Sequence, residues 1–376
     1  MRQTVHPSST TRALAMVTTL ALVALAFAAH AASAAVASGQ AVAPGACEPP
    51  IRGVVTECGW VESGGYRLRT ILTKPEGVTR RLPAVLFIQW LSCDPVALPA
   101  AEGDGWARTL RGLVAQSGVV VARAEKAGIS GSGGPACSAL GYDEELAGHR
   151  AALAALRRSP HVDPDSIFVF GASMGGTMAP LVAAGGNVRG VLVWGTTGKT
   201  WAEHMIALDR RVLTLRGVAP DSIGRVIGWH ALFHALYLVE GRAPPAIIAE
   251  RPRLAAAWRR MLGADSAGRQ QYGRPIRFHQ EAERAGWEGA WARIEVPVLV
   301  VRGEYDWIMP ADEHEWIAEI VNARRAGLAE VVVVPRVDHN FFAYPSPRSA
   351  FRGEGGAYDA GALEVFLDWL AKRRRG

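Results

Sequence analysis

Cysteine is scarce, with 4 residues in 376, and no CxxC or Cys/His spacing suggests a zinc site. No apolar run reaches the roughly 20 residues that a membrane-spanning helix needs. The longest, Ala13 to Ala29, is shorter and is interrupted by Thr18 and Thr19. Charge of one sign is also missing from the body of the protein. The formal net charge is +6, yet setting aside Arg2, Arg12, Lys372, Arg373, Arg374 and Arg375 leaves 35 basic residues against 35 acidic ones. Such a body has no global field to attract phosphate backbones, so no nucleic-acid partner is expected. No internal repeat or low-complexity tract stands outside the first 34 residues.

What is present argues for a folded core. Hydrophobic residues make up 49% of the chain and charged residues 20%, with 12 Trp, enough apolar side chain to offset chain entropy and exclude disorder. Residues 1 to 34 contain no acid, carry Arg2 and Arg12 early, turn apolar and end in small residues including Ala32, Ser33 and Ala34. That order is the order of a cleaved secretory signal peptide, which predicts an exported protein, periplasmic or extracellular, without a stable membrane span. In an oxidising compartment the even count of Cys47, Cys58, Cys93 and Cys137 favours two disulfides. Three pairings are possible. Cys47 with Cys58 and Cys93 with Cys137 is favoured, because the first two flank one short segment and the second two follow neighbouring expected strands.

Eight short β-branched or aliphatic runs alternate with Ala/Leu-rich helical stretches: Val54 to Val61, Tyr66 to Thr73, Ala84 to Gln89, Val119 to Ala124, Ser166 to Phe170, Gly190 to Trp194, Val298 to Val301 and Glu330 to Val334. This pattern predicts an α/β fold, a mostly parallel eight-stranded sheet with helices on both faces. Ser63-Gly64-Gly65 marks a hairpin between the first two strands. A helix is expected from Asp143, as N-cap, to Arg158. The alternation lapses after Trp194 and resumes at Val298. Residues 197–292 hold helical stretches and five of the Trp residues, and read as a helical cap inserted into a core of residues 35–196 and 293–376. Within it Trp229 to Val239 is apolar around most of its circumference, as expected of a segment buried between cap and sheet.

Gly171-Ala172-Ser173-Met174-Gly175 is a G-x-S-x-G match between the expected strand Ile167 to Phe170 and a helix-compatible stretch. The setting carries more than the pattern. A sharp strand-to-helix turn holds a serine in a strained conformation above the sheet edge, and its flanking glycines are needed where a Cβ would collide with strand or helix. The competing role for Ser173 is a plain helix N-cap. A serine hydroxyl needs a histidine to take its proton and a carboxylate to hold the imidazole tautomer. Two strand ends offer them: Gly303-Glu304-Tyr305-Asp306 and Asp338-His339.

With these segments in view, residues from about 54 to 371 resemble the α/β-hydrolase superfamily, in particular exported bacterial serine hydrolases related to dienelactone-hydrolase-like and acyl-peptidase-like esterases. The resemblance implies Ser173 as nucleophile, Asp306 as the acid of a Gly-x-x-Asp loop and His339 as base. It also implies an oxyanion hole. One donor is expected from the backbone N–H of Met174 and a second from Trp90 or Leu91. The superfamily's usual His-Gly is replaced there by Gln89-Trp90, and a disulfide from Cys93 would brace the loop.

Other residues compete for these roles. Glu304 is a rival acid, and Asp338 is expected to point elsewhere on the histidine's loop. His230 and His234 are four apart without the Glu of H-E-x-x-H, so they predict helix packing rather than a metal site. His314, within Asp312-Glu313-His314-Glu315, is expected on a solvated helix face, and His149, His161, His204 and His279 lack a strand-end setting. The expected activity is cleavage of a small carboxylic ester through an acyl-enzyme, a chemistry that needs no cofactor and no metal. Peptidase, thioesterase and lipase action use the same groups, and a non-catalytic secreted ligand-binding protein on the same fold is the alternative from another class.

Overall fold

The computed structural model describes residues 47–100 and 104–374; the expected leader, residues 1–34, lies outside them. In chain order the strands are β1 (Val54–Ser63), β2 (Tyr66–Pro75), β3 (Leu82–Ile88), β4 (Val120–Ala124), β5 (Val162–Ala172), β6 (Gly190–Trp194), a two-residue ribbon of β7 (Gln270–Gln271) and β8 (Arg274–Pro275), then β9 (Val298–Gly303), β10 (Ala329–Val334) and a second ribbon of β11 (Phe342–Ala343) and β12 (Ala357–Tyr358). Eight of them form one sheet in the order β1-β2-β4-β3-β5-β6-β9-β10. The β1/β2 hairpin pairs antiparallel to itself and to β4, and every pairing from β4 to β10 is parallel. Parallel strands need covered faces, and the helices supply the cover.

The helices are α1 (Gly105–Gln116), α2 (Tyr142–Arg158), α3 (Met174–Ala183), α4 (Trp201–Leu215), α5 (Pro220–His234), α6 (Pro244–Glu250), α7 (Ala255–Arg260), α8 (Ile276–Arg284), α9 (Trp287–Trp291), α10 (Ala311–Asn322), α11 (Pro347–Arg352) and α12 (Gly361–Arg373). Alternate residues along each strand feed opposite faces. Val85, Phe87, Phe168, Phe170, Leu192 and Leu299 pack with Leu110 and Leu113 of α1 and Phe366 and Leu370 of α12. Leu86, Ile88, Val169, Val191, Val193 and Val300 pack on the other face with α2, α3, α10 and the helices between β6 and β9. Burial of each such side chain stabilises the fold by roughly 1.5–3 kcal/mol, before chain entropy is set against it.

Local chemistry moves some expected boundaries. The helix expected to be capped by Asp143 begins at Tyr142, and the Gly141 N–H donates to Glu144 Oε2 at 2.9 Å. The apolar stretch Trp229 to Val239 is the end of α5 followed by one π-helical turn; Phe233, Leu236, Tyr237 and Leu238 are buried while Trp229 and Val239 are exposed. On α10 the expectation of a solvated face fails: Glu313 and His314 are fully buried. They face the loop after β6, where a Cβ on Gly198 would stand 2.9 Å from the Glu313 carbonyl oxygen. Cys47 is bonded to Cys58 and Cys93 to Cys137. Among the described residues no helix is long and apolar enough to cross a membrane.

Candidate active site

Ser173 occupies the single residue between β5 and α3, at φ 53° and ψ −122°, a conformation that side chains rarely adopt. Its neighbours explain how so sharp a turn fits. A Cβ on Gly171 would lie 2.5 Å from the Gly175 carbonyl oxygen, and one on Gly175 would lie 2.2 Å from that of Ile88. Only glycine allows α3 to start this close to β3 and its following loop. The Ser173 hydroxyl makes no capping hydrogen bond to the first turn of α3, so the plain N-cap role is not the one it fills. The Ser173 N–H donates to the Trp194 carbonyl at 2.9 Å, which ties the serine to the end of β6.

The same strand end holds the histidine. Trp194 Nε1 donates to the His339 carbonyl at 3.0 Å, and Gly195, at φ +52°, lies against the His339 ring. His339 Nδ1 is 2.7 Å from Asp306 Oδ2. A carboxylate can only accept here, so the proton sits on Nδ1 and the Nε2 lone pair is left to act as a base. Asp306 Oδ1 takes the N–H groups of Ile308 and Met309, both at 2.9 Å, and Arg211 of α4 donates to the Asp306 carbonyl at 3.0 Å. Burial alone raises the Asp306 carboxyl, but the His339 imidazole and the Met309 N–H outweigh it and hold the group below the usual carboxylate range. For His339 burial works downward, and the Asp306 charge and hydrogen bond overcome it, so the imidazole binds its proton more tightly than a free one.

The loop after β3 borders the same corner. Trp106 of α1 packs against Trp90 at 4.8 Å between ring centroids and edge-on against His339 at 5.7 Å, and its Nε1 donates to Asn340 Oδ1 at 3.1 Å. The close approach of Gly175 to the Ile88 and Gln89 carbonyls sets Met174, at the head of α3, beside Gln89-Trp90-Leu91. Gln89 is buried, and its Nε2 donates across the turn to the Asp94 carbonyl at 2.9 Å. The disulfide from Cys93 reaches Cys137 directly ahead of the loop that leads into α2.

The remaining candidates are accounted for by other contacts. Glu304 Oε2 accepts the Arg336 N–H at 2.8 Å at the surface, away from the imidazole. Asp338 turns from its neighbour His339 to cap its own loop, accepting the N–H groups of Asn340 and Phe342 at 2.8 and 2.9 Å. His230 and His234 face Asp209 at 2.6 and 3.6 Å, and among the described residues no cluster of three or more His, Cys, Asp or Glu side chains is arranged to hold a metal ion. His314 accepts the Thr196 N–H at 3.1 Å through Nε2, and its Nδ1 lies 2.9 Å from the Pro310 carbonyl. His204 pairs with Glu313 at 2.9 Å, and Trp201 Nε1 donates to His279 at 3.1 Å. Sequence reasoning passed over Trp194, Gly195, Trp106 and Arg211, whose contributions depend on which strand ends adjoin. It also passed over Lys126 and Arg274, which grip the loop after β3. The one signal was a charged cluster, Arg123, Glu125 and Lys126, closing an otherwise apolar strand.

No family model and no curated protein sequence matches the chain. Solved structures do. An acylaminoacyl peptidase from Pyrococcus horikoshii superposes with a TM-score of 0.53 at 11% identity, over 86% of this chain and 42% of that one. Est1E from Butyrivibrio proteoclasticus with bound ferulic acid gives a TM-score of 0.50 at 15% identity, over 84% of this chain and 96% of that one. At these identities the likeness is one of architecture, and together with the strand order it establishes that the chain has the α/β-hydrolase fold.

Proposed function

We propose that the protein is a serine hydrolase that cleaves carboxylic esters through a covalent acyl-enzyme. The observation that carries this reading is the Ser173 turn. A serine held at positive φ, free of helix capping, shares the Trp194–Gly195 strand end with a buried His339–Asp306 pair. Ser173 Oγ attacks the substrate carbonyl as His339 Nε2 takes its proton. The negative charge on the carbonyl oxygen is met by the Met174 N–H and by a second N–H from Trp90 or Leu91. His339 then gives the proton to the departing alcohol, and water repeats the sequence on the acyl-enzyme. Asp306 holds the tautomer and stabilises the imidazolium.

The reading extends to organisation and location. Residues 1–34 serve as an export leader, and the helices between Trp201 and Trp291 cap the core and set the size of the acyl group. Two disulfides fit an oxidising compartment. An acylaminoacyl peptidase and Est1E, solved with ferulic acid, share this fold, and the small ester is the favoured substrate class.

A fluorophosphonate probe tests the mechanism. Labelling of the folded protein that vanishes in Ser173→Ala supports the enzyme; absence of labelling in folded protein supports a non-catalytic binder. A series of p-nitrophenyl esters of graded chain length then reads the size limit imposed by the helices, and a rate jump above the solubility limit of the substrate would mark interfacial lipase action.

A further inference from the structure

The loop that borders the nucleophile is fastened from behind by charge. Lys126 follows β4 and Arg274 opens β8; both side chains are fully buried, and the buried Glu145 of α2 lies between them, 3.5 Å from Lys126 Nζ and 2.5 Å from Arg274 Nη2. Burial raises the Glu145 carboxyl, but Lys126 and Arg274 outweigh that and keep it ionised below the usual range. Both cations also donate to backbone carbonyls of the loop after β3, while Arg274 Nη2 reaches the Leu140 carbonyl as well, at 3.4 Å. Lys126 Nζ donates to Trp90 O and Ser92 O, both at 2.5 Å, and Arg274 Nη1 donates to Leu91 O at 2.9 Å.

In a trans peptide the carbonyl and the following N–H point in opposite directions. Pulling the Trp90 carbonyl toward Lys126 therefore turns the Leu91 N–H away from the charge cluster. The preceding peptide is turned the other way, with the Gln89 carbonyl packed against Gly175 at the head of α3. We infer that Lys126 and Arg274, bridged by Glu145, are positioning residues that aim the Leu91 N–H as the second oxyanion donor. This rests on the acyl-transfer reading above and selects Leu91 over Trp90.

The arrangement does two things a neutral loop could not. Carbonyl groups held by cations cannot flip to present oxygen to the oxyanion, which would be repulsive. The donor is also oriented before substrate arrives, so little reorganisation remains for the transition state, the condition under which such donors are effective. A proton is at stake too. Burial brings the Lys126 ammonium down to about 8, with the Glu145 carboxylate opposing that fall and the Arg274 guanidinium adding to it. Asp94 also favours the charged ammonium, and His149 faces Glu145 from the same helix.

The experiment is steady-state kinetics of Lys126→Met and Lys126→Arg on a p-nitrophenyl ester between pH 6 and 10, with Ser173→Ala as reference. Misaiming an oxyanion donor is expected to lower kcat by about 10- to 100-fold with KM changed by less than about threefold. The parent is expected to lose activity above about pH 8, and Lys126→Arg, which stays charged throughout, is expected to recover most of kcat and to remove that decline. If Lys126→Met does not fold, Arg274→Lys reads the same split, because the shorter lysine lacks the planar fork by which the guanidinium spans Leu91 O and Glu145. Unchanged kcat in Lys126→Met overturns the inference, as does an equal loss in the Met and Arg variants with KM rising in step. Activity that survives Ser173→Ala overturns the acyl-transfer reading instead, so the two failures are distinct.

Discussion

Gly195 leaves no room for a side chain beside His339: a Cβ there would stand 2.8 Å from His339 Nδ1 and 3.0 Å from Asp306 Oδ2. The glycine also adopts φ +52°, so both its backbone and its missing side chain are required at the place where serine strand and histidine loop adjoin. Gly195→Ala is expected to push the imidazole aside and lower kcat by about 100-fold, with a stability loss of roughly 1–3 kcal/mol. Ester turnover and urea denaturation of the variant check both numbers, and near-parent turnover would count against the contact.

The histidine needs its carboxylate for tautomer and charge. Asp306→Asn is expected to lower kcat by about 10⁴-fold. Since Asp306 raises the His339 proton affinity, the parent loses its base as pH falls through a value above the ordinary 6.5 for histidine, and the variant's residual activity should persist to lower pH. Glu304→Gln, at a surface hydrogen bond, should alter kcat/KM by less than about threefold. A pH–rate series on the three proteins decides between the two carboxylates.

The two disulfides should differ in worth. Cys93–Cys137 closes a segment with a sequence separation of 44, against 11 for Cys47–Cys58. Loop-closure entropy then assigns about 4 kcal/mol to the first and about 3 kcal/mol to the second. Removing Cys93 and Cys137 by paired Cys→Ser substitution should give the larger drop in denaturation midpoint. It should also lower kcat, because the bond is next to the loop gripped by Lys126. A larger drop from the other pair would contradict the entropic account.

Asp338 links stability to pH. Burial raises its carboxyl to about 6, against the opposing Phe342 and Asn340 N–H donors. The folded protein therefore holds this proton better than the unfolded chain, so the site favours folding most fully below about pH 4 and increasingly opposes it as pH rises through about 6. Asp338→Asn keeps a carbonyl oxygen for both N–H groups and removes the charge. It should be more stable than the parent by on the order of 1 kcal/mol at pH 7, with the gap closing by pH 4. Thermal unfolding at the two pH values tests the sign.

The sheet was legible because its signals are local. Val85-Leu86-Phe87-Ile88 and Val298-Leu299-Val300-Val301 are apolar on both faces, as strands covered on both sides must be. Ser173, Asp306 and His339 could be named because each sits at a strand end with its own short pattern. Other features depend on partners far along the chain. Glu313 and His314 look solvated in sequence, since acids surround them, yet the loop after β6 covers that turn of α10. Arg274 meets Leu91 across a sequence separation of 183, and no local pattern encodes such a pairing.

His314 has a consequence for any titration of this corner. Burial brings it down to about 4, and its two ring nitrogens are occupied by the Thr196 N–H and the Pro310 carbonyl. Although two imidazoles lie near one aspartate, burial keeps the ring of His314 neutral across the neutral range, while the Asp306 charge favours the proton on His339. A proton-uptake signal from this region between pH 5 and 8 thus excludes His314, and the neighbouring Asp338 carboxyl, raised to about 6, contributes to it.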